Sequence, residues 1–213
     1  MVKNVKLDVA TMARNVVHVY SLSTEAERID GRAWYPRAHT LMRKWSEIHR
    51  RSVMNVACIT SALSPQVRWE QNLILAADVL DGAPAASQAC LHVNWRKAER
   101  IRDERLESVL NKLPYGPKVT NFAANLSGDY DAVTVDTHAA QIALGSPQAN
   151  GRLDRFPDYA PFVAAYTLAA RQLHMRPSEL QAITWLAWKR LYPAEQKRVI
   201  RRFDYKRAIK RQR

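Results

Sequence analysis

The sequence predicts an all-α protein, and three observations carry that prediction. Apolar residues recur at mixed three- and four-residue steps along most of the chain. Pro65, Gly82, Gly128, Gly145 and Pro177 fall at the joints between those periodic runs. Only Ala132-Val133-Thr134-Val135 shows the alternation of an extended segment.

Taken in order, Leu7, Ala10, Met12, Val16, Val17, Val19 and Tyr20 suit a helix from about 5 to 22, ending before the cap-like Ser23-Thr24-Glu25. Trp34-Tyr35-Pro36 places proline at the start of a second helix, over about 36 to 50. SVMNVACITSAL reads as a buried helix, which Ser64-Pro65 breaks before QVRWEQNLILAADVL begins another. Asp81-Gly82-Ala83-Pro84 closes that fourth helix. Further helices are expected at about 94–101, 103–112 and 118–126, the last ended by Ser127-Gly128. Asp136 stands where an N-cap belongs, ahead of THAAQIAL and the terminator Gly145. Helices at about 159–174 and 178–191 complete the series, with no internal repeat.

With 213 residues, 47% of them hydrophobic, the chain can bury a substantial core. Its 33 Lys and Arg against 20 Asp and Glu give a net charge of +13. An excess of that size is the footprint of a protein that sits on a polyanion, with nucleic acid the first expectation and an anionic membrane surface or plain solubility the others. Cys58 and Cys90 lack CxxC spacing and read as free thiols in a reducing compartment. No metal and no cofactor is expected. The longest uncharged stretch, residues 159–170, falls short of the roughly 18 apolar residues of a spanning helix, and no signal peptide is read. A soluble, cytoplasmic protein without a membrane partner is the expectation.

Leu113-Pro114-Tyr115-Gly116-Pro117-Lys118 joins two expected helices through a tight glycine turn. Backbone N–H groups at the start of the second helix have no intrahelical partner, so such a turn suits a DNA phosphate. Lys118 follows the turn directly, and Val135-Asp136-Thr137-His138 lies downstream, its aspartate 18 positions after the lysine (136 − 118).

In these features the chain resembles the helix-hairpin-helix (HhH-GPD) DNA glycosylase superfamily, and most of all its endonuclease III branch. That branch runs hairpin, catalytic lysine, then V-D-T-H. Asn121 and Asn125 repeat its asparagine spacing; Ala62-Leu63-Ser64-Pro65-Gln66 is similar to its L-S-x-Q segment; Asn94-Trp95-Arg96-Lys97-Ala98 resembles its N-x-K-A run; Trp185 to Arg190 resembles its last core helix. The resemblance covers about residues 50–192.

It implies a two-lobed fold with DNA in the groove between lobes: 51–135 ending in the hairpin, and 1–50 plus 136–213 with a basic tail. It further implies a monomer acting on double-stranded DNA as a glycosylase with abasic-site lyase activity. A stacked base cannot be attacked at its glycosidic carbon, so the nucleotide is flipped into a pocket. Lysine is a nucleophile only as the neutral amine, which burial and a helix N-terminus favour. Lys118 is therefore the expected nucleophile and Asp136 the stabiliser of positive charge on the sugar, beside a bland reading of Asp136 as an N-cap. Expected DNA contacts are Gly116, Pro117, Tyr115, Gln66 and Arg68, with Gln66 filling the gap left by the flipped nucleotide. Trp69, Asn121 and His138 are pocket candidates, although Trp69 and Trp95 also suit core packing and His138 a hydrogen-bonded structural role. Residues 197–213 hold nine Lys/Arg and one acid, so Lys197, Arg198, Arg201 and Arg202 are candidate phosphate contacts.

Three features depart from the family pattern. Its hairpin reads L-P-G-x-G where this chain has LPYG; its C-terminal four-cysteine cluster is absent; GRAWYPRAH, over residues 31–39, has no counterpart and is a candidate for specificity. Two alternatives stay open: a phage-type transferase that modifies DNA bases on the same fold, and a DNA-binding module without catalysis.

Overall fold

A computed structural model describes residues 8–84, 90–103, 116–149 and 156–193. These form nine helices and no strand: α1 (Val9–Ser21), α2 (Glu25–His49), α3 (Val53–Leu63), α4 (Trp69–Leu80), α5 (His92–Asp103), α6 (Pro117–Ser127), α7 (Thr137–Leu144), α8 (Phe156–Gln172) and α9 (Pro177–Leu191). The protein is all-α, as its periodicity predicts. The helix expected over 103–112 falls mainly outside the described residues, as do Tyr115 and the basic stretch with Lys197, Arg198, Arg201 and Arg202.

One helix departs from expectation in a way that matters. Pro36 does not open α2; it lies inside it, because the helix begins eleven residues earlier at a full capping box. The Thr24 hydroxyl accepts the Glu27 N–H at 3.2 Å, and the Glu27 carboxylate accepts the Thr24 N–H at 2.8 Å. Pro36 is solvent-exposed, so the helix carbonyl that its missing N–H leaves unpaired can be hydrated. The Ala132–Val135 segment is extended in character but pairs with no strand among the described residues.

Two apolar clusters fill the interior. In the first, Tyr35, Met42 and Trp45 of α2 meet α3, Leu75 and Val79 of α4, Trp95 and Ile101 of α5, and Phe122 and Leu126 of α6. Cys58 belongs to it, and burial pushes its thiol up to about 11. Met12 and Val16 of α1 build the second with Val133, Val135, Ile142 of α7, Phe162 and Tyr166 of α8, and Leu180 and Trp188 of α9. Trp95 is core, as its helical spacing suggests, whereas Trp69 is only half-buried.

The long helix α2 packs along α9, and Gly31 sets how closely they approach. A Cβ at Gly31 would stand 2.5 Å from Ile183 Cγ1, 2.7 Å from Ile183 Cα and 2.8 Å from Ile183 N. Two of those atoms are backbone, so no rotamer change makes room. Across the same pair, Tyr35 donates its hydroxyl to Gln181 at 3.0 Å, and Arg190 pairs with Glu27 at 2.7 Å. Gly31→Ala must therefore separate the helices; overpacking of this kind costs about 1–3 kcal/mol, more than the gain in helix propensity of about 1 kcal/mol. Urea unfolding of Gly31→Ala is expected to show a net loss of stability at unchanged m-value.

Candidate active site

Helix α6 starts at Gly116, with Pro117 at its first position and Lys118 at its second. Glycine has no side chain to cap the free N–H groups, and none is capped by a side chain here. Gly82, Gly128 and Gly145 have positive φ and Gly31 is forced by contact, but Gly116 has φ −60 and its Cβ position is open for 4 Å. Neither its backbone conformation nor packing against the described residues requires a glycine at 116.

Two asparagines on α6 hold the segment that follows it. Asn125, fully buried, accepts the Thr134 hydroxyl at 2.6 Å and donates to the carbonyls of Asp129 and Ala132, each at 2.8 Å. Asn121 donates to the Pro117 carbonyl at 2.7 Å and also interacts with the Tyr159 hydroxyl. That hydroxyl accepts the Val135 N–H at 2.8 Å and donates to the Val133 carbonyl at 2.9 Å. The chain thus leads from the first turn of α6, through Asn121 and Tyr159, to the residue before Asp136. Lys118 stands three positions before Asn121, on the adjoining part of the same helix face.

Asp136 caps α7: its carboxylate accepts the Ala139 N–H at 2.8 Å and remains half-buried rather than enclosed. Behind it lie three buried phenols, Tyr35, Tyr159 and Tyr166. Burial first, and the Asp136 charge besides, push all three well above the usual phenol range. They stay neutral, so each phenol can act as a hydrogen-bond donor at ordinary pH.

The turn after α3 reaches the same end of α6. Ser61 donates its hydroxyl to the Val119 carbonyl at 2.6 Å, which fixes the end of α3 beside the first turn of α6. Directly after α3, Ser64 to Val67 form a turn closed by the Val67 N–H on the Ser64 carbonyl at 3.2 Å, with Pro65 second and Gln66 third. Gln66 has φ 64, the left-handed conformation that the third position of a type II turn demands, and it is exposed. Arg68, also exposed, is the uncapped N-cap of α4. Trp69 packs on Trp34 and Phe122 at ring separations of 5.1 and 6.2 Å, so its aromatic face is shared with the core.

Ser61 and Asn125 thus tie the end of α3 and the Thr134 segment to α6, the helix start that has Gly116, Pro117, Lys118 and Asn121, while Gln66 lies in the turn after α3 and Asp136 caps α7. His138 is at the second position of α7. Its Nδ1 is buried without a partner, and its ring lies 6.5 Å from Trp185. Sequence reasoning passed over Tyr159, Tyr35 and Thr134. The signal for Tyr159 was available: it and Tyr166 sit seven residues apart on an alanine-rich helix, which aims two phenols in the same direction. No group of three His, Cys, Asp or Glu side chains able to hold a metal occurs among the described residues, and none of their helices is long and apolar enough to cross a membrane.

The chain matches the family of unknown function DUF7178 over residues 1–191 and belongs to it. No curated protein and no solved structure matches it.

The positioning of Asp136 depends on the Tyr159 hydroxyl. Tyr159→Phe keeps the ring but leaves a buried N–H and a buried C=O unpaired, a loss of about 2–6 kcal/mol at about 1–3 kcal/mol per orphaned group. Tyr166→Phe removes a 3.3 Å bond to the Ala139 carbonyl within α7 and an interaction with Thr184, and is expected to cost about 1 kcal/mol. Urea denaturation of the two variants side by side checks the difference.

Proposed function

We propose that the protein acts on DNA as a glycosylase with abasic-site lyase activity, Lys118 being the nucleophile and Asp136 the carboxylate that supports it. The observation that carries this reading is the stitch between α6 and α7. Asn121, Tyr159 and Asn125 tie the segment ahead of Asp136 to the helix that begins with Lys118. In this reading an amine and a carboxylate from separate helix starts, Lys118 and Asp136, serve one deoxyribose.

The chemistry follows from those two groups. The Lys118 amine attacks C1′ of a flipped nucleotide, and the bond to the base breaks with its electron pair leaving on the base. The attached nitrogen then gives up one proton, its lone pair forms C1′=N as the C1′–O4′ bond breaks and O4′ takes up a proton, and the iminium keeps the remaining N–H; abstraction of a C2′ proton then expels the 3′ phosphate by β-elimination. Asp136 faces the positive charge that builds on the sugar. Its carboxylate is held by the Ala139 N–H and so needs little reorganisation when the charge appears. The open space at Gly116, beside uncapped N–H groups, suits close approach of a DNA phosphate. Gln66, exposed at the tip of its turn, is suited to occupy the space vacated by the base, and Arg68 to contact the backbone. In this reading the groove for double-stranded DNA runs past the start of α6, between a lobe of residues 51–135 and one formed by the remainder, in a monomer.

Against the binding module stands the presence of both lysine and aspartate, which a module that only binds does not need. Incubation with duplex DNA containing an abasic site, followed by borohydride, is expected to trap a covalent adduct that Lys118→Ala abolishes. Asp136→Asn, which retains an N-cap oxygen, is expected to keep stability within about 0.5 kcal/mol while lowering the trapping rate at least about tenfold; Asp136→Ala is expected to lose about 1 kcal/mol as well. Equal trapping by the wild type and Lys118→Ala would refute the assignment. Tight, salt-sensitive DNA binding with no adduct and no base release would favour the module.

A further inference from the structure

The stretch GRAWYPRAH and the start of α9 meet in a pocket that the Lys118 site does not use. The pocket, of about 210 Å3, is lined by Gly31, Arg32 and Tyr35 of α2, by Tyr130, and by Arg176 and Ser178 at the start of α9. We propose that it is a binding site for a phosphoryl group, on the backbone of a nucleic acid or on a free nucleotide.

Three independent features converge on that ligand. The first is a helix start without a side-chain cap. Arg176 is the N-cap of the 15-residue α9, its side chain has no acceptor, and the Ser178 N–H is held only at 3.3 Å by the Tyr130 carbonyl. Second, the Ser178 hydroxyl finds no hydrogen-bond partner, although the residue lines the pocket and is only 1% exposed. A buried hydroxyl left unpaired costs free energy, which a bound acceptor oxygen would recover. Third, two guanidiniums stand at the rim. Arg176 lies over the Tyr130 ring at 5.4 Å, which limits its freedom before any ligand arrives, and Arg32 is exposed one residue from the close contact at Gly31. Planar guanidiniums beside an unpaired hydroxyl donor match a tetrahedral oxyanion.

Glu179 also lines the pocket, and its carboxylate is engaged by the Arg176 backbone N–H at 3.1 Å. Tyr35 separates this pocket from the Asp136 segment: its ring lines the pocket, while its buried hydroxyl donates to Gln181 and interacts with Thr134. The proposal therefore stands whether or not Lys118 is a nucleophile.

Thermal unfolding of the full chain is followed while inorganic phosphate is titrated against sodium chloride at matched ionic strength. A saturable rise in Tm is expected for the wild type. Arg32→Gln, Arg176→Gln and Ser178→Ala are each expected to raise the phosphate concentration at half-effect at least tenfold. Ser178→Ala is expected to leave Tm in chloride unchanged or higher, since it removes an unpaired hydroxyl, which separates lost binding from lost folding. If a short DNA duplex abolishes the phosphate response and binds Arg32→Gln more weakly, the phosphoryl group is that of the backbone. If a deoxynucleoside 5′-monophosphate gives half-effect below the phosphate value and the duplex leaves that unchanged, it is a free nucleotide's. No saturable response above chloride, or an equal response in all three variants, overturns the proposal.

Discussion

A single phenol hydroxyl stands in for a missing β-strand. Val133 and Val135 are fully buried, and residues two apart in an extended chain present a C=O and an N–H to the same side. In a sheet a neighbouring strand would satisfy both groups. Here Tyr159 does so alone, accepting from Val135 and donating to Val133. From the opposite side Thr134 donates to Asn125, so the segment is gripped on both edges without a ladder. The consequence reaches the site directly. The next residue is Asp136, and its carboxylate can be fixed at the head of α7 only because the chain leading to it is fixed.

Much of this architecture is legible in the sequence, and the reasons are local. Asp136 reads as an N-cap because a carboxylate ahead of an apolar octapeptide and a terminal glycine admits few other conformations. The bounds of α3, α6 and α9 follow from Ser52, Gly116-Pro117 and Pro177 for the same cause. Misreading begins where a local signal competes with a stronger one further away. Pro36 resembles a helix start, but Thr24 and Glu27 had already nucleated the helix, and one exposed proline costs less than abandoning eleven ordered residues. Alternation at 132–135 was legible, while its partner was not. A tyrosine 24 residues beyond Val135 leaves no trace in the period of the segment it satisfies.

The packing of α2 on α9 has a similar dependence on distant chemistry. Gly31 lies in a stretch with no counterpart in the resembled family, and its meaning appears only when Ile183 is found against it. Close approach there brings Arg32 and Tyr35 up to the head of α9, and it places Tyr35 between Gln181 on one helix and Thr134 in the connecting segment. One missing Cβ thus contributes to three things: the helix interface, the wall behind Asp136, and the pocket at Ser178.

Helix starts in this protein divide by what stands at their N-caps. Asp8, Thr24, Ser52 and Asp136 cap α1, α2, α3 and α7 with side-chain oxygens. The starts of α4, α6 and α9 have Arg68, Gly116 and Arg176, none of which supplies an acceptor. At each of these three the cation is at the cap or two residues beyond it: Arg68, Lys118 and Arg176. Free N–H groups and the positive end of a helix dipole would ordinarily attract a carboxylate from the same chain. At α4 and α9 a first-turn carboxylate, Glu70 and Glu179, answers part of that charge, and Glu179 accepts the Arg176 N–H, whereas α6 has no acid in its first turn. In the proposed reading a phosphate-bearing partner supplies the negative charge that the start of α6 lacks.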